Sequence, residues 1–306
     1  MNKPQHPRAF LLTVLWTLFL LFLGSVVHAT ESSLACPDWP TCFGTMVPEM
    51  TGGVFWEHLH RLVAGGLILF FLGATYLTWK EGPRFSWMRV GTLAGIVLLL
   101  IQAVLGGITV IYRLPDAVST SHLGLAFLFL ALATVLFVAG APSWDGGIGP
   151  KEGSRQPLRR VALAGASLVF LQSLVGGAVR HTDAGVACPD VPLCLGQWVP
   201  PLDNALVALH FGHRALGLVV MGLVLWAGHL AFWQSGSRRI RALGVWVAGL
   251  AVGQVLLGFL SVYFRLGVVP VSLHTLLAAI LLTLMVALAT LTWAPDSLPA
   301  GAEGTT

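Results

Sequence analysis

Polar and apolar positions fall in blocks along this chain. Eight apolar runs, at about 10–28, 56–79, 88–111, 118–140, 158–179, 205–233, 238–262 and 271–293, are separated by short polar connections. Each run meets the roughly 20 residues that a helix needs to cross a bilayer. The pattern predicts an all-α integral membrane protein with eight transmembrane helices, since a soluble domain of this size has no interior for eight such segments. The first run follows Lys3 and Arg8 and ends at Val27-His28-Ala29, which resembles a signal-peptide cleavage site. Its apolar stretch is long for a cleaved signal, and its counterpart at 158–179 is internal, so it is read as a retained helix.

Composition agrees with the blocks. The 306-residue chain is 56% hydrophobic and 10% charged, against roughly 45–50% and about 25% in soluble domains. Lys3, Arg8, Lys80, Arg84, Arg89, Lys151, Arg155, Arg159, Arg160, Arg238, Arg239 and Arg241 fall at the N-terminus or in alternate short loops. The opposite loops hold Arg113, Arg180 and Arg265. By the positive-inside rule both termini are cytoplasmic. The net charge of +4 thus reports topology and gives no sign of a nucleic-acid partner.

The chain also repeats itself. "ACPDWPTCFG" at 35–44 returns as "ACPDVPLCLG" at 187–196, an offset of 152, and these phrases hold all four cysteines. "QAVLGGITVIYRL" at 102–114 returns as "QVLLGFLSVYFRL" at 254–266, and His122 meets His274 at the same offset. "HRLVAG" at 60–65 meets "HRALGL" at 213–218 at an offset of 153. Such self-similarity predicts two parallel copies of a four-helix bundle. The N-terminal bundle spans 1–140 and the C-terminal bundle 158–306, joined by the polar, Gly/Pro-rich stretch 141–157 as a cytoplasmic linker. Gln102, Gln172 and Gln254 each stand four residues before a glycine, a spacing that suits close helix packing.

Four histidines share in the repeat: His60, His122, His213 and His274, near the outer ends of the second, fourth, sixth and eighth helices. At about 1.5 Å per residue, His60 and His122 lie roughly 6 Å below their expected helix starts. Bundle cores are where cofactor sites are built, and two imidazoles facing across a core suit the axial positions of haem iron. The competing reading is a set of hydrogen-bonded intramembrane histidines. Zinc fits less well, because it usually takes four ligands with Cys or carboxylate among them. His6 and His229 lie near the cytoplasmic side without visible partners and have no assigned role. Arg61 and Arg214 each follow a repeat histidine, where a guanidinium could hold a haem propionate bidentately. Arg113 and Arg265 have the same two options, propionate or snorkelling to the surface.

"CPDWPTCFG", "EHLHR", the paired "HR" helices and the lone histidines of the fourth and eighth helices resemble the heme A synthase family, in its cysteine-containing bacterial form. The resemblance covers nearly the whole chain. It implies an enzyme of the bacterial cell membrane that oxidises the C8 methyl group of haem O to a formyl group, giving haem A for terminal oxidases. It further implies an alcohol intermediate, water as the oxygen source, and electrons leaving through a bound haem b. Carried over to this chain, His60 and His122 hold the substrate haem and His213 and His274 hold haem b. A separate farnesyl-transferring enzyme would make haem O and is a plausible partner; the membrane electron acceptor stays unspecified.

Glu57 supports that division independently, because at the 153 offset its counterpart is His210. Glu57 and His60 share a helix face at i, i+3, so the acid sits beside the first histidine pair only. A base there could take protons during oxidation; the alternative is an acid placed at a helix N-terminus, where the dipole favours it. Each Cys-x5-Cys lies in an outer loop, where disulfides persist. The pairs Cys36/Cys42 and Cys188/Cys194 are either staples of a lid or, for the first pair, redox partners. Two other functions stay open on the residues alone: a di-haem b electron carrier and a membrane thiol-disulfide oxidoreductase.

Overall fold

The computed structural model describes residues 4–83, 85–141 and 155–293. Lys3, Arg84, Lys151 and most of the expected linker 141–157 lie outside the described residues. The described chain is helical: α1 (His6–Ala29), α2 (Gly52–Glu81), α3 (Trp87–Ile111), α4 (Asp116–Gly140), α5 (Arg155–His181), α6 (Ala205–Gln234), α7 (Arg238–Tyr263) and α8 (Val268–Thr292), with a short 3₁₀ turn at Ala184–Val186. All eight are long and apolar enough to cross a membrane. A helix satisfies every backbone group within its own segment, which is what a water-free surrounding demands. The ends are set by polar residues: the Asn204 side chain accepts from the amides of Leu206 and Val207 at the start of α6, and Ser237 caps α7.

Several helices begin before the apolar runs do. α2 starts at Gly52, and α8 at Val268. The first turns of α2 are polar or Gly-rich, which a hydropathy pattern scores as loop, yet they stay helical by packing on the preceding loop. Gly53 lies so close to Ala35 that an added Cβ would come within 3.0 Å of its side chain. His60 is therefore about 12 Å and His122 about 9 Å below the first residue of its helix, deeper than the roughly 6 Å expected.

Within 6–140, α1 packs on α2 and α4, and α3 on α2 and α4. Within 155–292, α5 packs on α6 and α8, and α7 on α6 and α8. The two sets meet through α1 against α8 and α4 against α5 and α8. The core runs through both sets: Phe71 of α2 and Phe129 of α4 stack edge to face at 5.0 Å within the first, and Leu282, Met285 and Leu288 of α8 are fully buried. At the end opposite the cysteine loops, His6 does have a partner. Its Nδ1 lies 2.8 Å from Glu81, whose carboxylate also accepts the backbone amides of Gln5 and His6. The start of α1 is thereby tied to the end of α2, a contact between residues 75 apart that no local pattern announces.

Candidate functional site

A cavity of about 1070 Å³ opens toward the cysteine-loop end and draws its walls from both helix sets. All four repeat histidines line it, together with Glu57, Arg61 and Arg214. His60 and His122 lie within electrostatic reach of each other, as do His213 and His274. Each ring sits against a glycine on the preceding helix. A Cβ at Gly24 would stand 3.1 Å from His60 Cε1, at Gly106 3.2 Å from His122, at Gly176 2.9 Å from His213 and at Gly258 3.1 Å from His274. These glycines make room for the imidazoles; any side chain would push the ring out of place.

The glutamines that the sequence suggested as packing residues have a more specific part. Gln102 donates to the His122 carbonyl at 2.8 Å, Gln172 to the His213 carbonyl at 2.8 Å and Gln254 to the His274 carbonyl at 3.1 Å. The Gln-x3-Gly spacing is thus one device, with the glutamine tying down the backbone of the histidine whose ring the glycine admits. The Nδ1 atoms of His60, His122 and His274 are buried with no hydrogen-bond partner among the described residues. Orphaned imidazole nitrogens are costly in an apolar interior unless a ligand takes the ring. Paired histidines in an apolar cavity of this size fit a planar iron porphyrin.

Two lids border the cavity at this end. Cys36 is bonded to Cys42 and Cys188 to Cys194. Each lid is anchored from below by the arginine that follows a repeat histidine. Arg61 Nη1 donates to the carbonyls of Asp38 (2.8 Å) and Thr41 (2.6 Å), and Arg214 Nη1 to those of Asp190 (2.8 Å) and Leu193 (2.9 Å). Arg214 Nη2 also reaches the Cys188 carbonyl at 2.6 Å. These two arginines line the cavity, but the guanidinium nitrogens expected to meet propionates are engaged with the lids. In the first lid the Asp38 carboxylate accepts the amides of Phe43 (2.6 Å) and Gly44 (2.9 Å) and the Thr41 hydroxyl. The Thr41 hydroxyl first, then these amides, hold the Asp38 carboxyl below the usual carboxylate range.

Glu57 is buried directly beneath the first lid, with 4% of its surface exposed. One carboxylate oxygen accepts from Arg61 at 2.5 Å and the other from the Cys36 amide at 2.7 Å. In the second helix set His210 takes this place, accepting from Arg214 Nε at 3.1 Å. The carboxylate that the sequence found in only one copy therefore supports the first lid and lines the cavity that the histidines share. Arg113 and Arg265 are exposed, in left-handed turns after α3 and α7, which is the snorkelling arrangement. One cluster had no sequence signal, because its members do not repeat: the rings of His28 and His181 stand 5.2 Å apart, Arg180 donates to the His28 carbonyl, and Thr120 meets His181 Nδ1 at 3.0 Å. It joins α1, α4 and α5 at the cavity wall.

The four sulfurs are buried, none more than 2% exposed, which favours staples over exchange partners. Closing a ring this short stabilises by about 2 kcal/mol in the chain-entropy account. Serine at either pair is therefore expected to lower the melting temperature while turnover per folded molecule is kept. Thermal unfolding and product assays on both variants check this. Lost turnover confined to Cys36/Cys42, at unchanged stability, would assign that pair a redox role instead.

Comparison with known proteins bears on the chain as a whole. Residues 8–54 and 49–286 match the COX15-CtaA family, described as cytochrome oxidase assembly protein. The heme A synthase of Symbiobacterium thermophilum is 30% identical over 280 residues, 88% of this chain and 87% of that protein. The heme A synthase of Shewanella oneidensis is 26% identical over 328 residues, 94% and 96% of the two chains. That of Halalkalibacterium halodurans is 29% identical over 220 residues, 70% and 72%.

Proposed function

The chain belongs to the COX15-CtaA family of cytochrome oxidase assembly proteins, and from that membership and the site's geometry we propose that it is a heme A synthase. Its reaction would convert the C8 methyl group of haem O to the formyl group of haem A. The observation that carries this reading is one cavity lined by two histidine pairs, with a buried carboxylate beside the first pair only.

In this reading residues 1–140 form the substrate half, with His60 and His122 holding haem O, and 158–306 the cofactor half, with His213 and His274 holding haem b. Haem b, when bound, supplies one-electron transfer toward a membrane acceptor. The histidine rings are placed for their ligands by Gly24, Gly106, Gly176 and Gly258, and the glutamine ties hold three of the four histidine backbones. Oxidation of methyl to formyl with water as the oxygen source releases protons and electrons in equal number. Glu57 is the group positioned to take those protons, and Arg61 on its other oxygen gives the carboxylate a fixed orientation. In this reading the basic loops and both termini are cytoplasmic and the cysteine lids lie on the outer face. Haem O would come from a farnesyl-transferring enzyme in the same membrane.

The direct test is expression with a haem O source, followed by chromatography of the extracted haems. Haem A appearing only when the chain is present is the expected result. Haem b and haem O alone, from folded protein, would leave a di-haem electron carrier.

A further inference from the structure

The two histidine pairs are not held alike. Gln172 on α5 donates to the His213 carbonyl at 2.8 Å and lies 3.1 Å from its Nδ1. At the 152 offset the residue on α1 is Leu20. Leu20 stands four residues before Gly24, as Gln172 stands four before Gly176, and it lines the same cavity. A leucine has no donor, and His60 Nδ1 has no partner among the described residues. The polar tie from α1 to α2 sits one turn further on instead, from Trp16 Nε1 to the Val63 carbonyl at 2.8 Å. His122, His213 and His274 each keep their glutamine; His60 is the exception.

A second difference concerns the helix that carries His60. α6 meets α7 at Gly228 and Gly244, where an added Cβ would fall 2.6–2.7 Å from the opposing carbonyl oxygen. At the repeat offsets of 153 and 152 the first half has Thr75 and Thr92. There α2 touches α3 through side chains, Phe71 set against Gly95 and Trp79 Nε1 meeting the Thr92 hydroxyl at 3.2 Å, rather than backbone to backbone. α2 and α3 are correspondingly less extensively packed than α6 and α7. Glycine contacts bring helix backbones together and bulkier residues keep them apart.

We propose that the first histidine pair is built to exchange its haem and the second to retain it, with Leu20 and Gln172 as the positioning residues that set the difference. The inference rests on the haem assignment above. A substrate site must release its product, here an amphiphilic haem with a long isoprenoid tail, whereas a cofactor site gains by holding its group. His60 has no glutamine holding its backbone carbonyl, and α2 packs less extensively on α3 than α6 does on α7, so His60 could shift with the least rearrangement.

The test is haem transfer from the purified full-length protein, loaded with haem O and haem b, to excess apomyoglobin. Haem recovered from the acceptor is separated by chromatography over time. In the unsubstituted protein haem O leaves first and haem b slowly. Leu20→Gln is expected to slow haem O transfer by about two- to tenfold, the range of one net hydrogen bond, and Gln172→Leu to speed haem b transfer by a similar factor. Leu20→Met, of similar volume but without a donor, should transfer haem O at the unsubstituted rate. Should Gln172→Leu not fold, Gln172→Asn, one methylene shorter, carries the same expectation. Unchanged rates in both Leu20→Gln and the Gln172 variant, or equal slowing by Leu20→Met, overturn the proposal. A folded protein that takes up no haem at either pair would overturn the haem assignment as well, a result the transfer rates cannot mimic.

Discussion

Glu57→Gln is expected to bind both haems and yet to form haem A about 10²–10⁴ times more slowly, the usual loss when a positioned base is removed. The residue lies below the first lid, inside the cavity, with its carboxylate between Arg61 and the Cys36 amide. Glutamine can still accept the Cys36 amide but cannot take a proton. The readout is the ratio of haem A to haem O in cells at matched protein level, with the alcohol intermediate as the species expected to accumulate. Arg61→Gln separates the two parts that Glu57 plays. If Glu57 only anchors the lid, the two substitutions should have equal effects on haem A. If it is the base, Glu57→Gln should lose far more. A wild-type ratio in Glu57→Gln would place the base elsewhere.

The second large effect concerns the other pair. His213→Ala and His274→Ala are each expected to abolish most haem b binding and its low-spin spectrum, while His60→Ala leaves haem b in place. The helices should survive, because the residues replaced face a cavity rather than the packed surface between α1, α4, α5 and α8. Haem content per folded molecule, with helicity checked by circular dichroism, is the measurement. Undiminished haem b in the double variant His213→Ala/His274→Ala would end the assignment of these residues as axial ligands.

Much of the site was legible before any coordinates. The four histidines stood out because they repeat, and Glu57 because it fails to repeat. The cysteine pairs could be placed in loops, and the bonded state of both is seen in the structure. What the sequence did not show were the protein contacts of the arginines and glutamines. Arg61 and Arg214 suggested propionate partners because an intramembrane cation needs a counter-charge. Their nitrogens also hold the carbonyls of loops more than 20 residues earlier in the chain. Gln102 and Gln254 looked like packing residues because their acceptors lie 20 positions away on another helix. The partner of His6 was likewise hidden, 75 residues downstream.

The sequence by itself determined the eight helices, the class of surroundings they inhabit and the candidate residues for its chemistry. It did so because burial in lipid demands uninterrupted apolar segments whose backbones satisfy themselves, and that demand is written locally, run by run. Only the tertiary structure decided that Glu57 is shared between a lid and a cavity, that glycines on α1, α3, α5 and α7 seat the four rings, and that Leu20 leaves His60 without the tie its counterpart has. Those are short-range polar contacts, made over about 3 Å between segments that lie far apart in sequence. Which donors meet which acceptors follows from how the helices pack, and helix packing depends on side-chain shape at every contact at once.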